Sequence, residues 1–423
     1  MPIGRRALLT AGLWAPVAAA AGCGSKSNAG KSGDTSFWCW PGGLSTKVVA
    51  DAKQKFRNDT TLIYSEYSGN FRNKLTSALA DGAKPPSITG IKGEDIASFL
   101  PRADRFTDLT TLGAARLAPD YLPSKWQEAT AVDGRQVGIP IDIGPTAMFY
   151  RRDVFERAGL PTDPSDVDAE TSTWPRFLAF GSRLRAKLPG TFLMANTLTM
   201  FDIAVAQSGK RFVDQFNHFV GDGEHVKTAW DAAVRASTDG LCAQIDNDDK
   251  RWGPALADGA IAVSFGAAWH AQDIEEDAPS ATGKWRVAAG PAGGANIGGS
   301  FLAIPASTSD QATAFEIIEW LLSPENEARA YTEARLFPST PAAYSTPALR
   351  EPDPYFGGQQ TIDIFSASAR KTRRAYEAPA DGVIKDVYLD ELRNLEYHGK
   401  APEQAWSDAV KRARRVAAEN GVN

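Results

Sequence analysis

The sequence predicts an α/β protein in which helices cover a parallel sheet. Short apolar runs typical of strands alternate with amphipathic stretches typical of helices, and an apolar strand pattern returns late in the chain at Phe301–Pro305. The hydrophobic fraction of 43% and the charged fraction of 23% are those of a globular protein. At roughly 100–200 residues per domain, the length predicts two or three domains.

The alternation is clear at the start of the folded body. Phe37–Trp40 is a short aromatic strand that ends at a Pro-Gly-Gly sequence. A helix is predicted from Ser45 to about Asn58, a strand over Thr61–Tyr67 and a helix over Phe71–Asp81. Consecutive strand and helix units of this kind predict parallel strands.

The same pattern continues towards the C-terminus. A strand interrupted by a proline is predicted over residues 137–142 and another strand over 87–91. Ser323 followed by Pro324 is a helix start signal, and Gly399 is a helix end signal. The other predicted helices cover residues 152–158, 174–188, 226–239, 253–258, 309–322, 383–397 and 402–419.

The N-terminus has the pattern of an export signal. Arg5 and Arg6 precede an alanine-rich apolar stretch, and residues 1–22 form the predicted signal peptide. Residues 20–23 resemble the lipobox of bacterial lipoproteins, which predicts lipidation of Cys23. An ordinary secretory signal with an incidental cysteine is the alternative. The arginine pair also resembles a twin-arginine signal, so export by the Sec or the twin-arginine route stays open.

Residues 23–36 are rich in glycine, serine and lysine and predict a flexible tether. With the lipobox, this tether predicts a soluble body anchored by lipid at the extracytoplasmic face of the bacterial cell membrane. A tethered body of this kind favours capture, signalling or hydrolysis at the cell surface.

Composition argues against several classes of protein. The net charge of −5 gives no electrostatic footprint for nucleic acid or an anionic membrane surface. The four histidines show no metal-ligand spacing and the three cysteines form no C-x-x-C pair, so neither a metal nor a cofactor is expected. Cys39 and Cys242 are either a disulfide or two buried thiols.

Enzyme motifs are incomplete. Residues 262–266 contain a serine but lack the first glycine of G-x-S-x-G. The glycine-rich run 290–300 lacks the Gly-Lys-Ser/Thr of a P-loop and does not follow a strand as a dinucleotide-binding G-x-G-x-x-G does. A paired-carboxylate glycosidase stays open, because its two acids need not be close in sequence.

Four segments in order resemble the extracellular solute-binding proteins, family 1, of ABC importers, the carbohydrate-binding group that includes maltose-binding protein. The resemblance rests on residues 138–160, where Gly138–Pro140 precedes Tyr150–Phe155, and on residues 257–269, 298–331 and 399–405. The sequence departs from the family pattern at Arg151 and Arg152, where Asn-Lys is usual, and an insertion delays Trp174.

The resemblance implies a two-lobed periplasmic-binding-protein-like fold of type II, each lobe a sheet flanked by helices, with the ligand in the interlobe cleft. Lobe 1 would hold residues 37–142 and 296–345, and lobe 2 residues 145–290 and 346–423. The glycine run suits a hinge. The implied function is capture of a sugar and delivery to ABC importer permease subunits by a monomer that catalyses nothing.

A sugar pocket needs aromatic faces for the pyranose ring and polar groups for its hydroxyls. Trp269 matches the recurrent stacking tryptophan of the family, Trp40 ends a strand where α/β ligands bind, and Asp142 lies in an apolar crossover. The full predicted set of ligand-binding residues is Trp40, Lys92, Glu94, Asp142, Phe201, Trp269, Gly299, Ser300 and Tyr388.

Three functions therefore compete. The first is a sugar-binding lipoprotein of an ABC importer, and the second is a surface glycoside hydrolase. The third is a binding protein for a non-sugar solute such as glycerol-phosphate, iron or a polyamine. An anionic ligand would call for clustered Arg or Lys, and the predicted cleft segments offer chiefly Lys92.

Overall fold

The computed structural model describes residues 33–80, 82–373 and 375–423, which form two β-sheets covered by helices. The predicted signal peptide, Cys23 and most of the predicted tether lie outside the described residues. Within the described part of the chain, every helix is too short or too polar to cross a bilayer.

Eight strands are described. They are β1 (Thr35–Cys39), β2 (Leu62–Glu66), β3 (Ile88–Lys92), β4 (Gly138–Asp142), β5 (Thr146–Arg151), β6 (Val263–Ala267), β7 (Trp285–Ala288) and β8 (Ser300–Ala303). The first sheet has the order β2-β1-β3-β8-β4 and the second the order β6-β5-β7.

The prediction of a parallel sheet is right only for β2, β1 and β3. β8 runs antiparallel to both β3 and β4, and the second sheet is antiparallel throughout. The physical reason is the path of the chain: β8 enters the first sheet from the second sheet, so it runs against its neighbours. β4 is an edge strand, the position in a sheet where a proline such as Pro140 is tolerated.

The helices of the described residues are α1 (Thr46–Lys55), α2 (Phe71–Ala78), α3 (Gly93–Phe99), α4 (Pro123–Glu128), α5 (Arg152–Arg157), α6 (Pro164–Thr171), α7 (Trp174–Lys187), α8 (Leu198–Gln207), α9 (Glu224–Thr238), α10 (Trp252–Asp258), α11 (His270–Asp277), α12 (Gln311–Leu321), α13 (Pro324–Ala334), α14 (Thr361–Lys371), α15 (Asp381–His398) and α16 (Pro402–Glu419). The predicted helices are confirmed, with ends displaced by a few residues. The sequence analysis missed α3, α4, α6, α8, α11 and α14.

Local signals fix several helix ends. Ser323 caps α13, since its hydroxyl accepts the Asn326 N–H at 3.4 Å. α15 ends at Gly399, which has a left-handed φ of 67°. α16 buries a stripe of alanines at every fourth position against α15, and these small side chains let the two helices pack closely. The stripe is Ala405, Ala409, Ala413 and Ala417.

Each sheet is buried on both faces. In the first sheet, Phe37 and Leu302 pack with Val48 of α1 and Ile318 of α12, and the opposite face packs on α2 and α3. In the second sheet, one face packs on α10, α11 and α14 and the other on α5, α7 and α8. Helices α8, α9, α15 and α16 form a further helical layer.

The two remaining cysteines are free, buried thiols in different clusters. Cys39 lies in β1 within the core of the first sheet, and Cys242 packs beside the second sheet. Burial raises the pKa of the Cys39 thiol to about 12. Of the two alternatives left open by the sequence, the structure therefore has the buried thiols.

Three chain segments run side by side between the sheets. Residues 143–145 join β4 to β5, and residues 289–299 join β7 to β8. The Gly144 N–H donates to Asn296 Oδ1 at 2.8 Å, and the Ile297 N–H donates to the Gly144 carbonyl at 2.9 Å. The third segment follows α13, where the Phe337 carbonyl accepts the Ile143 N–H at 3.0 Å.

Gly144 is required by this close approach. A Cβ at residue 144 would overlap the carbonyl oxygen of Ile297. We expect Gly144→Ala to lower the free energy of unfolding by roughly 1–3 kcal/mol, because backbone at the crossover has to shift. Urea unfolding measures this change.

The matched control is Gly190→Ala, where a Cβ meets no atom within 4 Å. Its effect should stay within about 0.5 kcal/mol. Equal stabilities of the two variants would contradict the role given to Gly144.

Candidate ligand-binding cleft

The floor of the cleft is backbone of the glycine run. Gly298 and Gly299 have φ values of 85° and 81°, which favour glycine. A Cβ on Gly299 would lie 2.7 Å from Lys125 Nζ, and a Cβ on Gly93 would overlap the Gly299 carbonyl. On the other side, Trp269 Nε1 is 3.8 Å from the Cβ position of Gly298. The run therefore brings the start of α3 and the start of α11 to one place.

One wall comes from the carboxyl ends of β1 and β3. Trp40 follows β1, and its ring packs edge to face on Phe71 with centroids 5.4 Å apart. The Lys92 ammonium lies 5.5 Å from the Trp40 ring centroid and 3.9 Å from the exposed Glu94 carboxylate. Gly90 and Gly43 leave room for the indole, since a Cβ on either would collide with it.

Asp142 ends β4 beside this floor and is only 5% exposed. Burial raises the pKa of its carboxyl to about 6, against the opposing effects of the Lys125 charge and hydrogen bonds from Ser300. Its Oδ1 atom is buried and has no hydrogen-bond partner among the described residues. Asp142 thus leaves an unsatisfied acceptor beside the cleft floor.

An ion pair that the sequence analysis missed lies next to Asp142. Lys125 is fully buried in α4 and donates to Glu128 Oε2 at 2.6 Å and to the Gly298 carbonyl at 3.2 Å. Asn296 Nδ2 donates to the other Glu128 oxygen at 3.3 Å. Burial raises the pKa of Glu128, and the Lys125 charge opposes this. The only signal in the sequence was the Pro123 start of a short helix with the two charges three residues apart.

A second missed cation comes from the segment between α8 and α9. Arg211 lies 3.8 Å from carboxylate oxygens of Asp202 and Glu377, and its buried Nε has no hydrogen-bond partner among the described residues. The Arg211 charge lowers the pKa of Glu128 and the Glu377 charge raises it, so these groups are close enough to interact electrostatically. No spacing or motif around residue 211 marks it in the sequence.

The structure brings seven of the nine predicted residues to the cleft floor and its adjoining wall. These are Trp40, Lys92, Glu94, Asp142, Trp269, Gly299 and Ser300. Trp269 is the most open of the cleft aromatics, with 39% of its surface exposed. Their contact with a ligand stays a prediction.

The structure contradicts the prediction that Phe201 and Tyr388 bind the ligand. Both are fully buried in the helical layer, where their rings stack with centroids 6.0 Å apart. The Tyr388 hydroxyl donates to the Gly221 carbonyl at 2.8 Å. These rings fill the space between α8 and α15 because both helices turn an apolar face inward, so neither ring has surface to offer a sugar.

Comparison with known proteins identifies the family. A family model described as bacterial extracellular solute-binding protein matches residues 46–354. A lactose-binding protein of Rhizobium radiobacter is 24% identical over 365 residues, which make up 80% of this chain and 83% of that protein. A crystal structure of an extracellular solute-binding protein of family 1 is 29% identical, covers 91% of this chain and 100% of its own, and has a TM-score of 0.86.

The ABC-transporter-associated binding protein of B. animalis subsp. lactis Bl-04, solved in complex with beta-1,6-galactobiose, is similar at 21% identity with a TM-score of 0.72. It covers 92% of this chain and 98% of its own. The chain belongs to the bacterial extracellular solute-binding proteins. The predicted family and the two-lobed fold, with sheets flanked by helices, are confirmed.

The raised pKa of Asp142 predicts a pH dependence of stability. An unfolded aspartate titrates near about 3.9, and Asp142 in the fold near about 6. The folded state therefore holds the proton longer, and this group's contribution to stability is complete below pH ~4 and lost as the pH rises through ~6.

We expect Asp142→Asn to remove this loss of stability at rising pH. Relative to the parent, the variant should gain roughly 1–3 kcal/mol of unfolding free energy between pH 4 and pH 7. Urea unfolding without ligand, repeated across this range, measures the difference. Parallel stability profiles for the two proteins would show that the Asp142 carboxyl titrates normally.

Proposed function

We propose that this protein captures a neutral carbohydrate in the cleft and delivers it to an ABC importer without chemical turnover. The carrying observation is a partly exposed indole, Trp269, at a floor beside which buried Asp142 holds an unpaired acceptor. An aromatic face suits the apolar side of a pyranose, and buried carboxylate oxygens suit its hydroxyls. Trp40 and Lys92 form the adjoining wall.

Charge pairing favours a neutral ligand over a phosphorylated one. Lys92 pairs with Glu94, and Lys125 pairs with Glu128. Arg211 lies 3.8 Å from both Asp202 and Glu377, and Lys385 lies 3.2 Å from Asp202. Because carboxylates pair with each of these cations, they leave no surplus positive charge for a phosphate among the described residues of the cleft. This argues against the glycerol-phosphate alternative.

The names of similar proteins support the same class of ligand. One relative is called lactose-binding, another, from Bacillus subtilis (strain 168), is called arabinooligosaccharide-binding, and one similar structure holds beta-1,6-galactobiose. These sugars are the first probes to use. Permease subunits of an ABC importer are the proposed protein partners of a monomeric binding protein.

Calorimetric titration with lactose, galactobiose and arabinooligosaccharides tests the proposal, and the tightest ligand is then measured on Trp269→Ala. Loss of an aromatic platform and its apolar contact should cost about 2–3 kcal/mol, or roughly a 30- to 150-fold fall in affinity. The melting temperature without sugar should change little, because Trp269 is partly exposed.

The control is Ile63→Ala, which removes an exposed apolar side chain of β2 outside the cleft and should leave the affinity unchanged. A Trp269→Ala protein that melts far earlier yet binds sugar normally would place Trp269 in the core instead. Release of product from the bound sugar or from a chromogenic glycoside would favour the glycoside hydrolase. Binding of glycerol-phosphate but of no sugar would overturn the proposed ligand class.

The lobe boundaries follow from the crossovers. Lobe 1 is proposed to hold residues 37–142 and 296–345, and lobe 2 residues 145–290 and 346–423. The strand assignments support this division, since β8 joins the first sheet and β5 opens the second. The third boundary is less sharp, because Phe337 and Tyr344 already pack in the cluster that contains Phe149 of β5.

We propose that the mature protein is held at the extracytoplasmic face of the membrane by lipid on Cys23. The support is the lipobox-like sequence at residues 20–23, together with a family whose members are extracellular. Export by the Sec or the twin-arginine route fits the Arg5-Arg6 pair.

Cys23→Ala should move the protein from the membrane fraction to the soluble fraction of the producing cells. The reason is the loss of acyl chains, each worth about 0.8 kcal/mol per buried CH₂. Fractionation followed by immunoblotting measures the shift. Cys242→Ala is the control and should stay with the membranes, as its cysteine is buried in the body. A Cys23→Ala protein that still pellets with membranes would contradict lipid anchoring.

A further inference from the structure

A hydrogen-bonded chain of serine, histidine and aspartate lies behind Trp269. Ser264 Oγ in β6 is 2.7 Å from His270 Nε2, and His270 Nδ1 is 3.2 Å from Asp273 Oδ2 in α11. With the ring hydrogen on Nδ1, the imidazole donates to Asp273 and accepts the Ser264 hydroxyl. This is the order of partners found in hydrolytic triads.

The surroundings of the chain do not suit a nucleophile. Ser264 is 6% exposed and His270 4% exposed. Ser264 pairs with Phe149 across the antiparallel ladder, and the Phe149 ring also packs edge to face on the His270 ring, with centroids 5.5 Å apart. A serine nucleophile has to reach a substrate carbonyl next to oxyanion donors. Here the hydroxyl is enclosed by the sheet and by aromatic packing.

The position of the chain in the fold suggests a different role. β6 ends at Ala267 and α11 begins at His270, so only Ala268 and Trp269 link the strand to the helix. His270 bonds to the strand through Ser264 and to the helix through Asp273. The Ser264 bond therefore spans the turn, and the Asp273 bond, within α11, holds the imidazole that makes it.

The Trp269 indole itself has little side-chain packing to hold it. It is 39% exposed, and its only ring partner among the described residues is His270, at 6.1 Å and an interplanar angle of 81°. Gly266 lets the histidine lie close to the strand, since a Cβ there would collide with the His270 ring. The position of the indole over Gly298 therefore depends on the turn that carries it and on the His270 ring beside it.

We propose that Ser264, His270 and Asp273 form a positioning network that fixes the turn carrying Trp269 and so holds its indole ready at the cleft floor. The expected gain in ligand affinity rests on the proposed function. An indole that is already held loses less conformational freedom when a ligand arrives, and loss of the network should weaken affinity about three- to tenfold.

The test uses the mature protein labelled with 5-fluorotryptophan and read by ¹⁹F NMR without ligand. The Trp269 resonance is assigned by its disappearance in Trp269→Phe. Ser264→Ala and Asp273→Asn should shift and broaden that resonance and increase its solvent isotope shift. Ser264→Thr, which keeps the hydroxyl, should restore it.

The matched control is Ser366→Ala, which removes a buried serine hydroxyl that bonds only within α14 and should leave the Trp269 resonance unchanged. An unaltered Trp269 resonance in folded Ser264→Ala and Asp273→Asn would overturn the proposal. So would covalent labelling of Ser264 by a fluorophosphonate probe, which would assign it a nucleophilic role.

Titration with lactose separates this proposal from the proposed function. A three- to tenfold weaker affinity of Ser264→Ala, recovered in Ser264→Thr, supports both. An indole that moves while lactose binds equally well overturns Trp269 as a ligand contact but supports the network's hold on the turn. Because the NMR measurement needs no sugar, failure of lactose to bind the parent counts only against the choice of ligand.

Discussion

The cleft depends on how closely three backbone segments approach one another between the sheets. Residues 143–145, 296–299 and the segment that follows α13 share hydrogen bonds there, and Gly144 has no side chain to separate them. Asp142 immediately precedes the first of these segments and Gly298 lies in the second. The floor is therefore placed mainly by hydrogen bonds between main-chain segments, with the Asn296 side chain accepting one of them.

A second constraint is the cost of burying charge at that floor. Lys125 is removed from water and is stabilised by the Glu128 carboxylate and the Gly298 carbonyl. Burial raises the pKa of Asp142 to about 6, although the Lys125 charge and the Ser300 hydrogen bonds oppose the rise. The result is a cleft that is polar without being strongly charged. Such a surface suits hydroxyl groups, which offer both a donor and an acceptor and carry no charge of their own.

The sequence predicted the strand and helix order well because its signals are local. The Ser323 cap, the Gly399 stop and the apolar periodicity of α12 act over a few residues, and the structure has all three. The antiparallel strands were missed, since strand direction depends on which lobe the chain comes from. Helices α8 and α14 both begin without a side-chain cap, so no local signal marks where they start.

The candidate site shows the same difference between residues marked by local signals and residues defined by distant contacts. Trp40, Asp142 and Trp269 follow strand ends or a family-like motif, and the sequence was enough to single them out. Lys125 and Arg211 take their meaning from partners far away in the chain, which no spacing reveals. Phe201 and Tyr388 were wrongly predicted to contact the ligand. Their sequence positions suggested aromatic stacking surfaces, and only the structure shows that a neighbouring helix covers each ring.

The two buried cysteines also make the body independent of oxidative folding. Neither Cys39 nor Cys242 forms a thiolate readily, because burial raises both pKa values, and the thiolate is the form that reacts. Cys39 belongs to the core of the first sheet and Cys242 to that of the second. Each thiol becomes reactive only when its own core opens, so the relative rates of alkylation would report which half of the molecule loosens first.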